Sequence, residues 1–138
     1  MDINIDEVVY HITHMGIAFL LALPIAINRE YRHEGAGLRT FPLVSIASCA
    51  FMLVGISVYE GSDAEARVMY GIITGMGFIG GGSIIKTDSG SSGTATAAGI
   101  WLTGAIGLSV AYQRLEIAIA LSLVGFLIFQ FSVYLKKK

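Results

Sequence analysis

The chain is poor in charge. Lys, Arg, Asp and Glu make up 14% of its 138 residues while hydrophobic residues make up 54%, against about 25% charged in an ordinary soluble domain. Five stretches, 8–28, 40–59, 68–85, 89–113 and 117–135, contain no charge at all. Each approaches the roughly 20 residues a helix needs to cross a bilayer's hydrocarbon. A soluble surface helix keeps a polar stripe, and the absence of one excludes that class. The pattern predicts an all-α polytopic membrane protein with five transmembrane helices at about 8–28, 41–59, 68–86, 94–112 and 116–135, in a single membrane domain.

Other shortages exclude other functions. There is one cysteine, Cys49, so no intrachain disulfide can form, and its mid-span place predicts a small buried packing residue. No Ser-His-Asp, Cys-His or metal-ligand set is grouped at a predicted surface, so neither enzymatic activity nor a cofactor is expected. No basic patch interleaved with aromatics is present, so no nucleic-acid partner is expected. The uncharged stretches hold no acid, whereas a magnesium path calls for oxygen ligands, typically carboxylates.

What charge exists is unevenly placed. The start, MDINIDE, is acidic, where a secretory signal has a positive leading segment, so the first span is expected to stay as a signal-anchor. With five spans, one side collects Arg29, Arg32, Arg39, Lys86, Lys136, Lys137 and Lys138, and the other only Arg67 and Arg114. The positive-inside rule then places the amino terminus outside and the carboxy terminus in the cytoplasm. All six tyrosines fall at or near span ends, where amphipathic rings settle.

The stretch TGMGFIGGGS, 74–83, contains Gly75-x-Gly77-x-x-Gly80. A dinucleotide fingerprint needs a preceding strand and an acid about 20 residues later. After Asp88 the next acid is Glu116, which excludes that reading. The glycines fit a membrane helix whose backbone is approached closely: Gly71, Gly75 and Gly82 share a face, and Gly77 and Gly81 form a small-xxx-small pair. Gly99, Thr103 and Gly107 in the fourth span offer a matching face. Each helical glycine costs about 1 kcal/mol relative to alanine, so tight packing of spans three and four, and self-association into a dimer, are expected in compensation. The alternative is a helix break at Gly80-Gly81-Gly82 lining a wet path. Pro24, inside the first span, is expected to kink it and to free a carbonyl near Leu20.

The cytoplasmic face carries the most suggestive polar cluster. Arg29, Glu30, Arg32, Arg39 and Thr40 precede the second span, and Ser91, Ser92, Gly93 and Thr94 precede the fourth. Both spans point their partial-positive ends to that face. Converging amides, hydroxyls and a guanidinium would bind an anion or an acidic segment of a membrane-protein partner. The plainer reading is that the arginines set topology at the headgroups while the serines cap a helix. Glu7, His11 and His14 share one face near the outer end of the first span and are weak metal or pH-sensing candidates.

REYRHEGAGLRTFPLVSIASCAFMLVG (29–55), DAEARVMYGIITGMGFIGGGSIIK (63–86) and GTATAAGIWLTGAIGL (93–108) together resemble the MgtC/SapB membrane proteins, over about residues 16 to 135. The resemblance implies a multi-span helical protein of the bacterial inner membrane, of a family associated with adaptation to low magnesium and, in pathogens, with survival in macrophages. This chain departs at Asn28, where an acid is common, and at Ser92-Gly93-Thr94-Ala95, where Arg-Gly-Leu is common. It resembles the short form without a soluble carboxy-terminal domain, so no virulence role is carried over. The function expected is regulatory, in magnesium or ionic stress, through the cytoplasmic-face site; the alternative is a cation carrier or channel with its path at the glycine-rich third span.

Overall fold

A computed structural model describes residues 3–32, 35–88 and 90–135, the last three of these as backbone only. Five helices follow one another: α1 (Ile5–Tyr31), α2 (Thr40–Val58), α3 (Ser62–Gly82), α4 (Thr94–Ala111) and α5 (Leu115–Leu135). A short antiparallel hairpin, β1 (Ile85–Thr87) and β2 (Gly90–Ser92), joins α3 to α4, with Ile85 opposite Ser92. By length and composition, α1, α2, α4 and Leu115–Ser132 of α5 can each cross a membrane. α3 is as long as α5, but its first turn carries Asp63 and Glu65 and its second half is rich in glycine, which makes it the least apolar of the five.

The third element needs correction. A helix over 68–86 was expected; α3 runs from Ser62 to Gly82 and residues 85–92 form the hairpin. Nor does the helix break at Gly80–Gly82. It continues through them and stops, because the Ser83 amide and hydroxyl both reach the Gly80 carbonyl, at 3.0 and 2.7 Å. Gly93 turns the chain into α4 with φ +86°, and a Cβ there would overlap the Ser83 carbonyl. Glycine is therefore required at this turn.

The centre of the bundle is α4, buried at Ile100, Thr103, Gly104, Ile106, Gly107 and Val110. Its small residues do meet neighbours closely, but the main neighbour is α2 rather than α3. A Cβ on Gly107 would strike the Ser45 carbonyl and lie 3.0 Å from the Cys49 amide nitrogen, and one on Gly99 would lie 2.8 Å from the Phe41 ring and 3.2 Å from that of Phe129. Thr103 satisfies its own hydroxyl on the carbonyls of Gly99 and Ile100, at 2.9 and 3.1 Å, as a buried hydroxyl in an apolar core must. Ser45 Oγ donates to the Ala18 carbonyl at 2.9 Å, tying α2 to α1. Ser122 Oγ of α5 donates to the Leu21 carbonyl at 2.6 Å, tying α5 to α1 near Pro24. α1 nevertheless continues through Pro24 to Tyr31.

The expected glycine seam between α3 and α4 is likewise corrected. Added Cβ atoms at Gly71, Gly75, Gly77, Gly81 and Gly82 would meet nothing within 4 Å among the described residues; only Gly80 approaches α4, 3.2 Å from the Ala97 carbonyl. The α3–α4 contact is made the other way round, by Met76 seated on Gly104, where a Cβ would overlap the sulfur. Spacing showed that these faces permit approach, but the α4 face it singled out turns toward α2. Gly104→Ala is expected to cost about 1–3 kcal/mol by overpacking, reduced by about 1 kcal/mol of regained helix propensity. Thermal unfolding in mild detergent checks it, and adding Met76→Ala is expected to relieve the clash, so that the two costs do not sum.

Candidate functional site

A polar cavity of about 780 Å³ lies where α1 and α3 end and α2 and α4 begin, lined by Arg29, Thr40, Ser83, Ser91, Ser92, Thr94 and Thr96 together with Ile79, Ile85 and Ile100. Arg29 is its only charged wall among the described residues. The side chain is 5% exposed. Its Nη2 donates to Thr96 Oγ1 at 3.0 Å, and its guanidinium carbon lies 5.1 Å from the Phe129 ring centroid. Gly35, with φ +73°, passes so close that a Cβ would sit 2.6 Å from Thr96 Oγ1. The loop after α1 thus closes over the arginine.

The opposite wall is the start of α4. Gly93 supplies no side-chain cap, and the first helical hydrogen bond is Ala97 N–H to the Gly93 carbonyl. The preceding amides of Thr94, Ala95 and Thr96 have no partner within the helix, and the helix's partial-positive end is directed at the cavity. With the hydroxyls of Ser91, Ser92, Thr94 and Thr40 beside them, these groups can solvate an anion.

The structure brings together five of the eight residues expected at this face: Arg29, Thr40, Ser91, Ser92 and Thr94. The other three are turned elsewhere. Glu30 Oε2 accepts the Leu38 amide at 3.0 Å and packs on Gly37, bracing the loop from outside. Arg32 Nη2 donates to Gln130 of α5, at 3.0 Å to Oε1 and 3.4 Å to the carbonyl. Arg39 is exposed at the start of α2 and does not line the cavity. Glu30 lies about 100° round α1 from Arg29, Arg32 is the C-cap residue beyond the helix, and Arg39 belongs to the start of α2.

Sequence reasoning missed Thr96 and the α1–α5 pair of Asn28 and Gln130. Asn28 Nδ2 donates to Gln130 Oε1 at 2.6 Å, while Asn28 Oδ1 is buried without a hydrogen-bond partner. Gln130, a lone amide inside an uncharged run, was the available signal.

The far end of the bundle is held by side-chain pairs. Tyr112 OH donates to Glu65 Oε2 at 3.0 Å, and Gln113 Nε2 donates to Tyr10 OH at 2.8 Å. Burial, the hydrogen bond to Glu65 and the Glu65 charge raise the Tyr112 hydroxyl above its ordinary range. A raised folded value means this contribution is fully present below the unfolded value of about 10 and is lost as pH climbs through the folded one. The Glu7, His11 and His14 row makes no metal site: the described residues contain no group of three His, Cys, Asp or Glu able to hold an ion. His14 instead donates from Nδ1 to the Tyr10 carbonyl at 2.8 Å, and its ring lies 4.1 Å from that of Tyr10.

Four long apolar helices, a fifth packed on the buried small residues of α4, and a polar cavity at one end define a helical multi-pass membrane protein. The chain belongs to the MgtC family, whose model matches residues 15–138. It is 33% identical over 128 residues to YhiD of Escherichia coli K12, by its name a candidate magnesium transporter, a match covering 86% of this chain and 59% of YhiD. Protein MgtC of Brucella abortus (strain 2308) is 38% identical over 91 residues, covering 66% of this chain and 38% of that protein. Protein SrpB of Synechococcus elongatus is 36% identical over 104 residues, covering 66% and 57%. The matched part thus spans less than two thirds of the length of each of these relatives. No solved structure matches it.

Proposed function

We propose that the protein is a non-catalytic regulatory component of the bacterial inner membrane, acting in magnesium or ionic stress by binding an anionic group at the Arg29 cavity on the cytoplasmic side. The observation that carries this reading is a buried guanidinium that shares a cavity with uncapped helix amides and several hydroxyls. Mg²⁺ prefers oxygen ligands, usually including a carboxylate, and a fixed arginine repels it. Sidedness is supported by the positive-inside count. The name of YhiD favours the second reading, cation transport along α3. Self-association belongs to the regulatory reading: Gly77 and Gly81, a small-xxx-small pair, are open on α3.

Reconstitution separates the two. Liposomes containing the protein are expected to show no magnesium flux above empty liposomes. Ser92→Asp, an exposed change at the cavity wall, is expected to weaken binding of inorganic phosphate by about tenfold through like-charge repulsion. A magnesium flux that disappears with Gly81→Leu would overturn the regulatory reading in favour of transport.

A further inference from the structure

α3 has two unlike sides. Met69, Ile73, Met76 and Gly80 turn toward the bundle, and of these Met76 and Gly80 are buried. Phe78 lies nine residues from Met69, half a turn round the helix at about 100° per residue. It is 86% exposed, more than any other large hydrophobic residue among those described. Arg67, Gly71, Thr74, Phe78 and Gly81 follow one another at alternating steps of four and three, the spacing of a seam along which two helices wind round each other. Within the chain this crest faces nothing: Cβ atoms at Gly71, Gly75, Gly77, Gly81 and Gly82 would meet no described atom within 4 Å. Phe78 is thus a lone aromatic knob ringed by bare backbone.

Deepening the self-association named above, we propose that this face is covered by a second copy of the chain, in a parallel pair about a two-fold axis along the membrane normal. Two copies inserted with the same orientation can be related only by such an axis, so each residue of α3 meets the other helix at its own depth. In a seam of this spacing a side chain enters a hole made by four residues of the facing helix. For Phe78 those four are Thr74, Gly77, Phe78 and Gly81 of the second copy. Three of them are small, so the backbones can approach while each ring fills the hollow beside the other. The exposed Thr74 hydroxyl, which has no hydrogen-bond partner among the described residues, would meet its counterpart across the axis.

Charge selects a copy over a lipid tail. Asp63 and Arg67 are exposed one turn apart at the outer end of α3 and make no ion pair among the described residues. The axis brings the two Arg67 side chains together, and each finds the second copy's Asp63 one turn away, giving two reciprocal pairs. Pairs at a rim fix register more than affinity. The area is also sufficient. On its α2 side the crest borders an apolar groove of about 800 Å³ that runs from Leu43 to Tyr59, and Phe51, Tyr59, Tyr70 and Phe78 are each more than half exposed. At about 200 Å² for a whole aromatic side chain, these four offer about 500 Å² per copy and about 1,000 Å² per pair. The aliphatic residues beside them bring the total into the range of a stable interface, roughly 1,200–2,000 Å².

The test uses the full chain in mild detergent and in liposomes. Native mass spectrometry is expected to show a dimer. Phe78→Ala is expected to raise its dissociation constant about tenfold or more, while thermal unfolding of the diluted monomer and binding of inorganic phosphate stay unchanged. Gly77→Leu, which extends into open space, is expected to do the same. Asp63→Arg alone and Arg67→Asp alone are expected to weaken the dimer and the two together to restore it, which general damage to the face would not do. Under mild oxidation Thr74→Cys is expected to crosslink across the axis, with Cys49 buried and silent, and Ile128→Cys on the exposed side of α5 is expected not to. Crosslinking at position 128 but not at 74 would keep self-association and overturn the α3 seam. A monomer at every concentration in liposomes would overturn both, while phosphate binding still reports separately on the anion site. A monomer that retains a phospholipid, lost in Phe78→Ala, would give the face to lipid and overturn the dimer.

Discussion

Gly107→Val is expected to leave little folded protein in detergent. At Gly107 the backbone of α4 touches that of α2, and an added Cβ would overlap the Ser45 carbonyl. Ser45 is itself bonded to the Ala18 carbonyl, so α1, α2 and α4 converge on this point. The obstacle is main chain, which cannot rotate away as Met76 can. Overpacking of this kind costs about 3 kcal/mol or more, and the helix propensity regained on losing glycine returns less than about 1 kcal/mol. Gly81→Val on the open side of α3 is expected to change stability by under about 0.5 kcal/mol. The lone tryptophan, Trp101, whose Nε1 donates to the Ile73 carbonyl of α3 at 3.4 Å, provides a fluorescence signal for both unfolding curves. Equal behaviour of the two variants would contradict the packing described for α4.

Arg29→Met is expected to have the largest effect on binding. Methionine keeps much of the length and apolar stem beside Phe129 but removes the cavity's described charge and the bond to Thr96. A hydrogen bond from a charged group contributes about 1.5–3 kcal/mol, so phosphate binding is expected to fall by about tenfold to a hundredfold. Arg39→Met, at a position outside the cavity, is expected to leave it within about twofold. Isothermal titration with inorganic phosphate distinguishes them. A loss at Arg39 equal to that at Arg29 would mean that the charge of the loop, rather than the geometry of the cavity, holds the anion.

Much of the helical framework was legible because charge is scarce. Uncharged runs at 40–59, 89–113 and 117–135 correspond to α2, α4 and α5, with most ends within a residue or two of the expected spans. The hairpin was not legible by the same signal, since Ser83, Ile84 and Ile85 extend an uncharged run even though the helix has ended. The glycine faces were legible as places where something can come close, but spacing does not name the neighbour. Gly99 and Gly107 turned out to serve α2 and aromatic rings, and Gly104 to receive Met76. At the cavity, residue types pointed to donors at one end of the bundle. Which arginine enters depends on the rotation of α1, and that is settled by Phe129 and Thr96, far away in sequence.

The modest hydropathy of α3 bears on how the chain enters a bilayer. A segment whose peptide groups are thinly covered at Gly71, Gly75, Gly77 and Gly81 gains little by partitioning alone, because glycine offers almost no apolar area to set against the cost of burying a polar backbone. During synthesis α3 therefore depends on the arrival of α4, when Met76 can seat on Gly104 and Gly80 can meet Ala97. The two helices and their connecting hairpin would then integrate as one unit, with the more apolar partner carrying the less apolar one across.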